Sequence, residues 1–332
     1  MRCTAAAVAC VVLACWASGL QAQVSAQIGR DYFHDKRLSS DGGMACATCH
    51  VPGKALQDGY ERALARRLVQ TRNTPSLLNV GRHTVYFWDG RARSLEAQIR
   101  EPLFARSEMN ASAETLQQAT ASCPASQAAW LASGLPIADF VVRSLADYVR
   151  SVGQGDKSRF ELFLGGQRTL SRAEAAGWAV FSNKLQCVRC HRPPALTDDG
   201  FHDIGLPRRH IVLQTTADRS VADRFQLGFD YGRSNISDQP ADQHKFRTPS
   251  LYNVMQTAPY MHDGAFRNID EVLDFYSRQR VADGKTAISA ADKRALVALL
   301  SAMTEQRPAA SANALSAVPD HCGRTGLPRL VD

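Results

Sequence analysis

Cys46-Ala47-Thr48-Cys49-His50 and Cys187-Val188-Arg189-Cys190-His191 are the two stretches on which the reading of this chain turns. In each, two cysteines and a histidine have the spacing by which thiols add to the vinyl groups of a haem while the imidazole binds iron from the proximal side. The spacing puts all three groups on one helical turn. A zinc site built from the same residue types needs a second cysteine or histidine pair nearby. Two covalently attached haem c groups are therefore expected, one on Cys46, Cys49 and His50 and one on Cys187, Cys190 and His191.

Outward from these motifs, one unit is used twice. Thr74-Pro75-Ser76-Leu77-Leu78-Asn79-Val80 returns as Thr248-Pro249-Ser250-Leu251-Tyr252-Asn253-Val254. In the same register, Tyr86-Phe87-Trp88-Asp89-Gly90 faces Tyr260-Met261-His262-Asp263-Gly264. The expected fold class is mainly α, with two cytochrome c-like haem domains related by an internal repeat and a larger insertion between His191 and Thr248. The expected division is a signal peptide over 1–22, an N-terminal haem domain over 23–153, a C-terminal haem domain over 154–308 and an extended tail over 309–332. Val152 to Asp156 reads as the linker.

A length of 332 residues suits two domains of ordinary size, and 45% apolar residues suffice for a core. The formal charge of +7 is spread among charges of both signs, and no polybasic run argues for nucleic acid. Met1-Arg2 followed by the apolar run Ala5 to Gly19 reads as an export signal, cleaved near Ala22 or Ala26. This implies a periplasmic protein. The run is too short to span a bilayer comfortably, and no second one follows, so the mature chain is expected to have no transmembrane segment. Cleavage before Cys15, giving a lipoprotein, is the alternative. Of the nine cysteines, Cys3, Cys10 and Cys15 fall in the signal and four in the haem motifs. Cys123 and Cys322 are left, either as one disulfide or as two buried thiols.

Helical periodicity runs through Leu56 to Val69, Ser94 to Arg100, Ile137 to Val152, Arg172 to Asn183, Ile269 to Gln279 and Ser289 to Met303. Ser171 with Glu174, and Ser289 with Asp292, read as helix starts.

Function depends on the other face of each iron. A six-coordinate haem moves electrons, whereas a five-coordinate haem can bind and split peroxide. Twelve residues beyond Gly264 lies Tyr276, and the same count from Gly90 reaches Pro102. If Tyr276 reaches the second iron, the first has proline in that place and stays open. Periodicity alone reads Tyr276 as a core residue of an amphipathic helix.

The motifs, with Asn73-Thr74-Pro75-Ser76, Phe87-Trp88-Asp89-Gly90-Arg91, Phe246-Arg247-Thr248-Pro249-Ser250-Leu251 and Ala258-Pro259-Tyr260-Met261-His262-Asp263-Gly264, resemble the bacterial di-haem cytochrome c peroxidases and their relative MauG. The resemblance runs from about Gln27 to Met303. It implies that Tyr276 is the distal ligand of the second haem, as in MauG-like enzymes, where conventional peroxidases have methionine. It implies that Trp88 couples the two haems, that Gln98 and Glu108 are the distal glutamine and glutamate of the peroxide-binding haem, and that a calcium ion is held by Thr257, Pro259 and Asn73.

Two departures from the family pattern matter. Val51 to Arg82 contains no histidine to close the first haem, and His83 falls after the loop that usually supplies it. Leu185 stands where MauG has a surface tryptophan, and Trp178 nearby fits core packing as well as it fits an exit role. The implied partners are hydrogen peroxide and either a protein substrate or a small redox protein. A MauG-like oxidase is favoured by Tyr276. A conventional peroxidase fed by a small cytochrome c or cupredoxin is the alternative, with Met255 and Met261 as other ligands. A non-enzymatic electron carrier or haem sensor is disfavoured by Gln98, Glu108 and the open first haem.

Overall fold

The computed structural model describes residues 24–66, 68–152, 157–209 and 229–305. The expected signal peptide with Cys3, Cys10, Cys15 and Ala22, the expected linker beyond Val152, and the expected tail with Cys322 lie outside the described residues. The described chain is mainly helical, and its strands form two short antiparallel pairs, Leu64–Ala65 with Leu68–Val69 and Phe201–His202 with Phe246–Arg247. No single described helix is long and apolar enough to cross a membrane.

Two compact units can be distinguished. The first takes the described residues up to Cys46 together with Ile99–Val152; the second takes Ala47–Gln98 together with the described residues from 157 to 305.

The first unit contains α1 (24–34), most of α2 (Leu95–Phe104), α3 (Ala113–Ala121), α4 (Pro124–Ser133) and α5 (Ile137–Val152). Helix α5 buries Phe140, Val141, Leu145, Tyr148 and Val149, a stripe at i, i+1, i+5, i+8 and i+9 that covers one face. Tyr32 of α1 meets it edge-on at Phe140 and donates or accepts a 2.7 Å hydrogen bond with Thr120 of α3. Cys123 is buried and disulfide-bonded.

The second unit is built on α6 (Arg159–Leu164), α7 (Arg172–Ala179), α8 (Ile269–Ala282) and α9 (Ala290–Ala302). Both expected starts are full capping boxes, Ser171 with Glu174 and Ser289 with Asp292. Gly177 lets α7 lie directly on α9, because a Cβ there would come within 2.1 Å of the Ala295 carbonyl oxygen. The core gathers Phe160, Phe181, Leu196, Leu273, Leu299 and Met303. Complete burial of Leu299 contributes about 1.5–3 kcal/mol relative to exposure. Trp178 packs into this core, with Phe160 and Phe181 at 5.3 and 5.9 Å between ring centroids.

Leu56 to Val69 is not a helix. Leu56 takes a left-handed φ of 56°, Gly59 one of 80°, and Arg66 one of 47° at the tip of the Leu64–Val69 hairpin. Each interrupts the right-handed turn that the apolar spacing suggested. Helices α1, α3, α4 and α6 were not expected from periodicity. Arg172 to Asn183 is helical only to Ala179 and then widens into a π turn over Val180–Lys184.

The two copies of the repeated sequence share backbone conformations. Asn79 and Asn253 have φ of 58° and 60°, Phe87 and Met261 of 64° and 74°, Gly90 and Gly264 of 72° and 66°. Ser76 Oγ donates to the Ala55 carbonyl at 2.6 Å, and Ser250 Oγ to the Ala195 carbonyl at 2.8 Å. Five residues after each glycine a helix begins, α2 at Leu95 and α8 at Ile269.

Candidate haem sites

Both attachment motifs form a single tight turn, Cys46–Cys49 as one α-helical turn and Cys187–Arg189 as one 3₁₀ turn. In the second, the backbone N–H of His191 donates to the Cys187 carbonyl at 2.9 Å, so thiols and imidazole share one turn. His50 Nδ1 donates to the Leu56 carbonyl at 3.0 Å, and His191 Nδ1 donates to the Leu196 carbonyl at 3.2 Å. A carbonyl can only accept, so Nδ1 carries the proton and Nε2 keeps its lone pair for a metal. Burial lowers the pKa of both imidazoles, which keeps them neutral. The accepting residues, Leu56 and Leu196, are both left-handed and buried.

Cys187, Cys190 and His191 line a largely apolar cavity of about 480 Å³ in the second unit. Tyr276 of α8 lines the same cavity, and its hydroxyl makes no hydrogen bond among the described residues. Burial pushes that hydroxyl up to about 12, so the free phenol is neutral at physiological pH. The donor set fits haem c: two thiols and an imidazole with a free Nε2 on one turn, facing an apolar space that also receives an unengaged oxygen. Cys190, Asp198 and His202 also cluster, with donor atoms within 4.8 Å of one another. That trio overlaps the attachment motif through Cys190, and His202 Nε2 is hydrogen-bonded to Asp198 at 2.9 Å.

Trp88 lines this cavity too. Its indole N–H donates to the Asn73 carbonyl at 3.1 Å, and its own carbonyl accepts the Arg247 backbone N–H at 2.8 Å. Asp89 beside it is ion-paired with Arg72 at 2.6 Å and Arg91 at 2.9 Å, and Arg72 also pairs with Asp230 at 2.6 Å. Burial opposes the charge on both carboxyls, but Arg72 holds them below the usual carboxylate range. This triad, and Arg247, were not singled out from the sequence.

Gln98 is half-buried on α2, where Pro102 follows it by one turn. Glu108 is half-buried in the turn after α2, its backbone N–H donating to the Ala105 carbonyl at 3.0 Å. Cys46 and Glu108 belong to the first unit, and Cys49, His50, Gln98 and Trp88 to the second. His83 is anchored by Asp199, with Nδ1 and Oδ1 2.7 Å apart. Leu185 is half-buried and lines the cavity.

Asn73 Nδ2 donates to the Tyr60 carbonyl at 2.8 Å, which turns Oδ1 away from that bond. The Thr257 and Pro259 carbonyls, either side of Ala258, accept no hydrogen bond among the described residues, whereas the Ala258 carbonyl accepts from Gln57 Nε2 at 2.8 Å.

Two attachment turns on a mainly helical chain define a di-haem c-type cytochrome. A sequence model of the di-haem cytochrome c peroxidase family matches residues 23–169. The chain is 35% identical over 256 residues to the methylamine utilization protein MauG of Methylorubrum extorquens, covering 75% of this chain and 67% of that one. It is 30% identical over 300 residues to cytochrome-c peroxidase IdrP2 of Denitromonas iodatirespirans, covering 84% and 81%. The crystal structure of a MauG-like protein associated with microbial copper homeostasis superposes with a TM-score of 0.71 at 29% identity, covering 85% of this chain and 90% of that one. The chain belongs to the di-haem cytochrome c peroxidase family and is a haem-containing oxidoreductase of the peroxidase type.

Proposed function

We propose that this is a periplasmic peroxidase in which peroxide reacts at the haem on Cys46, Cys49 and His50, while Tyr276 closes the distal side of the haem on Cys187, Cys190 and His191. The observation that carries this reading is Tyr276 itself, an unengaged hydroxyl in the cavity lined by the second motif. Its counterpart by count, Pro102, has no ligating atom. The matched backbone at Asn79 and Asn253, and at Gly90 and Gly264, supports reading the chain as two haem domains of common descent, over 23–153 and 154–308.

When bound, the haems supply the redox chemistry by which peroxide is split. The chain's own residues move the protons. The Glu108 carboxylate takes the proton from one peroxide oxygen and returns it to the other, making water the leaving group. The Gln98 amide orients the peroxide. Trp88, fixed through its indole N–H and its carbonyl, is the coupling group between the two haems. His83 is held by Asp199, which supports a first haem that needs no reductive opening.

A phenolate is a hard anionic ligand and favours oxidised iron, whereas a thioether favours reduced iron. Met255 packs against the core, and Met261 sits in the left-handed turn beside His262. The Tyr276 reading therefore favours MauG-like oxidation of a protein or other substrate. The second reading, a conventional peroxidase drawing electrons from a small cytochrome c or cupredoxin, is favoured by Leu185, an aliphatic side chain where an oxidisable exit is needed. A calcium ion bound by Asn73 Oδ1 and the Thr257 and Pro259 carbonyls suits their hard, unengaged oxygens.

Optical and EPR spectra of the ferric holoprotein, before and after peroxide, test this. One high-spin and one low-spin haem, both reacting with peroxide without prior reduction, are expected. Two low-spin haems that ignore peroxide until half-reduced would sink the proposal.

A further inference from the structure

We propose that Tyr60 is a surface electron relay, and that the apolar patch it forms with Leu64 and Val69 docks a small acidic redox protein. This rests on the second reading above, in which a small redox protein supplies the electrons, and names where that partner docks.

Tyr60, Leu64 and Val69 are 55%, 45% and 38% exposed. They are three of the seven large hydrophobics this exposed among the described residues, and they fall within one ten-residue stretch. The hairpin register sets Leu64 opposite Val69, which puts both side chains on one face. The loop that presents Tyr60 is pinned. Its carbonyl accepts Asn73 Nδ2 at 2.8 Å, and Arg209 donates to the Glu61 carboxylate at 2.7 Å. Gly264 packs so closely on the Glu61 backbone that a Cβ would fall 2.3 Å from its oxygen.

The patch connects inward. The Trp88 indole donates to the Asn73 carbonyl, and the Asn73 side chain donates to the Tyr60 carbonyl, so two hydrogen bonds and one residue join Trp88 to Tyr60. Arg62 and Arg209 line both the recess beside Tyr60, Leu64 and Val69 and the cavity of Cys187, His191 and Tyr276. The rim is cationic. Among the described residues, Lys54 Nζ lies 5.6 Å from the centre of the Tyr60 ring, Arg209 and Arg267 pair with Glu61, and Arg62 lines the same recess. An apolar centre with a positive rim selects an acidic partner face.

Reduction of one hydrogen peroxide to two waters takes two electrons and two protons. For each electron, the Tyr60 phenol gives one electron inward and its proton to solvent. The phenoxyl then takes one electron from the partner and one proton from solvent, which restores Tyr60 and leaves the partner oxidised by one electron.

The holoprotein is treated with peroxide and a nitroso spin trap without any donor, then digested and analysed by mass spectrometry. The trap adduct is expected on Tyr60 and is expected to vanish in Tyr60→Phe, with the ferric haem spectrum as the check on intact protein. In Leu64→Glu, the rate constant with a reduced acidic cupredoxin should fall about tenfold relative to that with ferrocyanide. A small basic cytochrome c should not show that drop. Adducts only on other residues, or an unchanged rate ratio, overturn the relay and the docking face while leaving peroxide chemistry in place. A wild-type protein that consumes no peroxide overturns the underlying reading as well.

Discussion

Replacing Arg72 with methionine strips the counter-ion from two buried carboxylates. Arg72, Asp89 and Asp230 side chains are only 10%, 2% and 7% exposed, so solvent screens them little. The losses are unequal. Asp89 keeps Arg91, whose Nη1 lies 2.9 and 3.1 Å from its two oxygens. Among the described residues, Asp230 keeps neutral donors, the Gly232 N–H at 2.9 Å and Asn235 Nδ2 at 3.3 Å. Breaking a buried ion pair by removing one partner costs about 3–5 kcal/mol. In a protein of this size that lowers the melting midpoint by roughly 4–7 °C. The pH dependence has a definite sign. Arg72 holds both folded-state carboxyl pKa values down, so its stabilisation is complete above the unfolded value near about pH 4 and fades as pH falls through the lower folded values. The gap between wild type and variant should be widest at neutral pH and close in acid. Circular dichroism melts across that range measure it, with Arg72→Met/Asp230→Asn expected to recover at least half of the loss. A neutral-pH cost under about 1 kcal/mol, or a gap that persists in acid, would refute the buried-triad reasoning.

Glu108→Gln should slow the peroxide step by about 10²- to 10⁴-fold in stopped-flow spectra while leaving the ferric spectrum in place. Gly264→Ala forces a Cβ onto Glu61 at a φ of 66°, so denaturant melts should show a cost of about 1–3 kcal/mol, with easier proteolysis of the Tyr60 loop. Removal of calcium with a chelator should lower the melting temperature and be reversed by calcium but not by magnesium, whose octahedral demand the carbonyl-rich site does not meet.

Much of the site was legible because haem attachment is a local, covalent pattern. The cysteines and histidines sit within five residues, and the register between Gly264 and Tyr276 led to a side chain that lines the right cavity. Leu56 to Val69 was misread because its apolar spacing imitates a helix, while the conformation is set by left-handed Leu56, Gly59 and Arg66. Helix α3 was missed because its apolar stripe rests on Leu116, Ala119 and a buried Thr120, too few large residues to make a period. The Arg72–Asp230 pair spans 158 residues, and nothing local marks Asp230 as its partner. Arg247 stands just before the second copy of the repeat, but only folding reveals that its backbone and guanidinium hold the carbonyls of Trp88 and Phe87.

Low-temperature EPR of the ferric holoprotein beside its Tyr276→Phe variant tests the asymmetry of the two haems most directly. The wild-type low-spin signal should convert to high-spin in the variant, while the first haem's high-spin signal stays as it was. A low-spin signal that survives the substitution unchanged would contradict ligation by Tyr276 and return that side chain to the core.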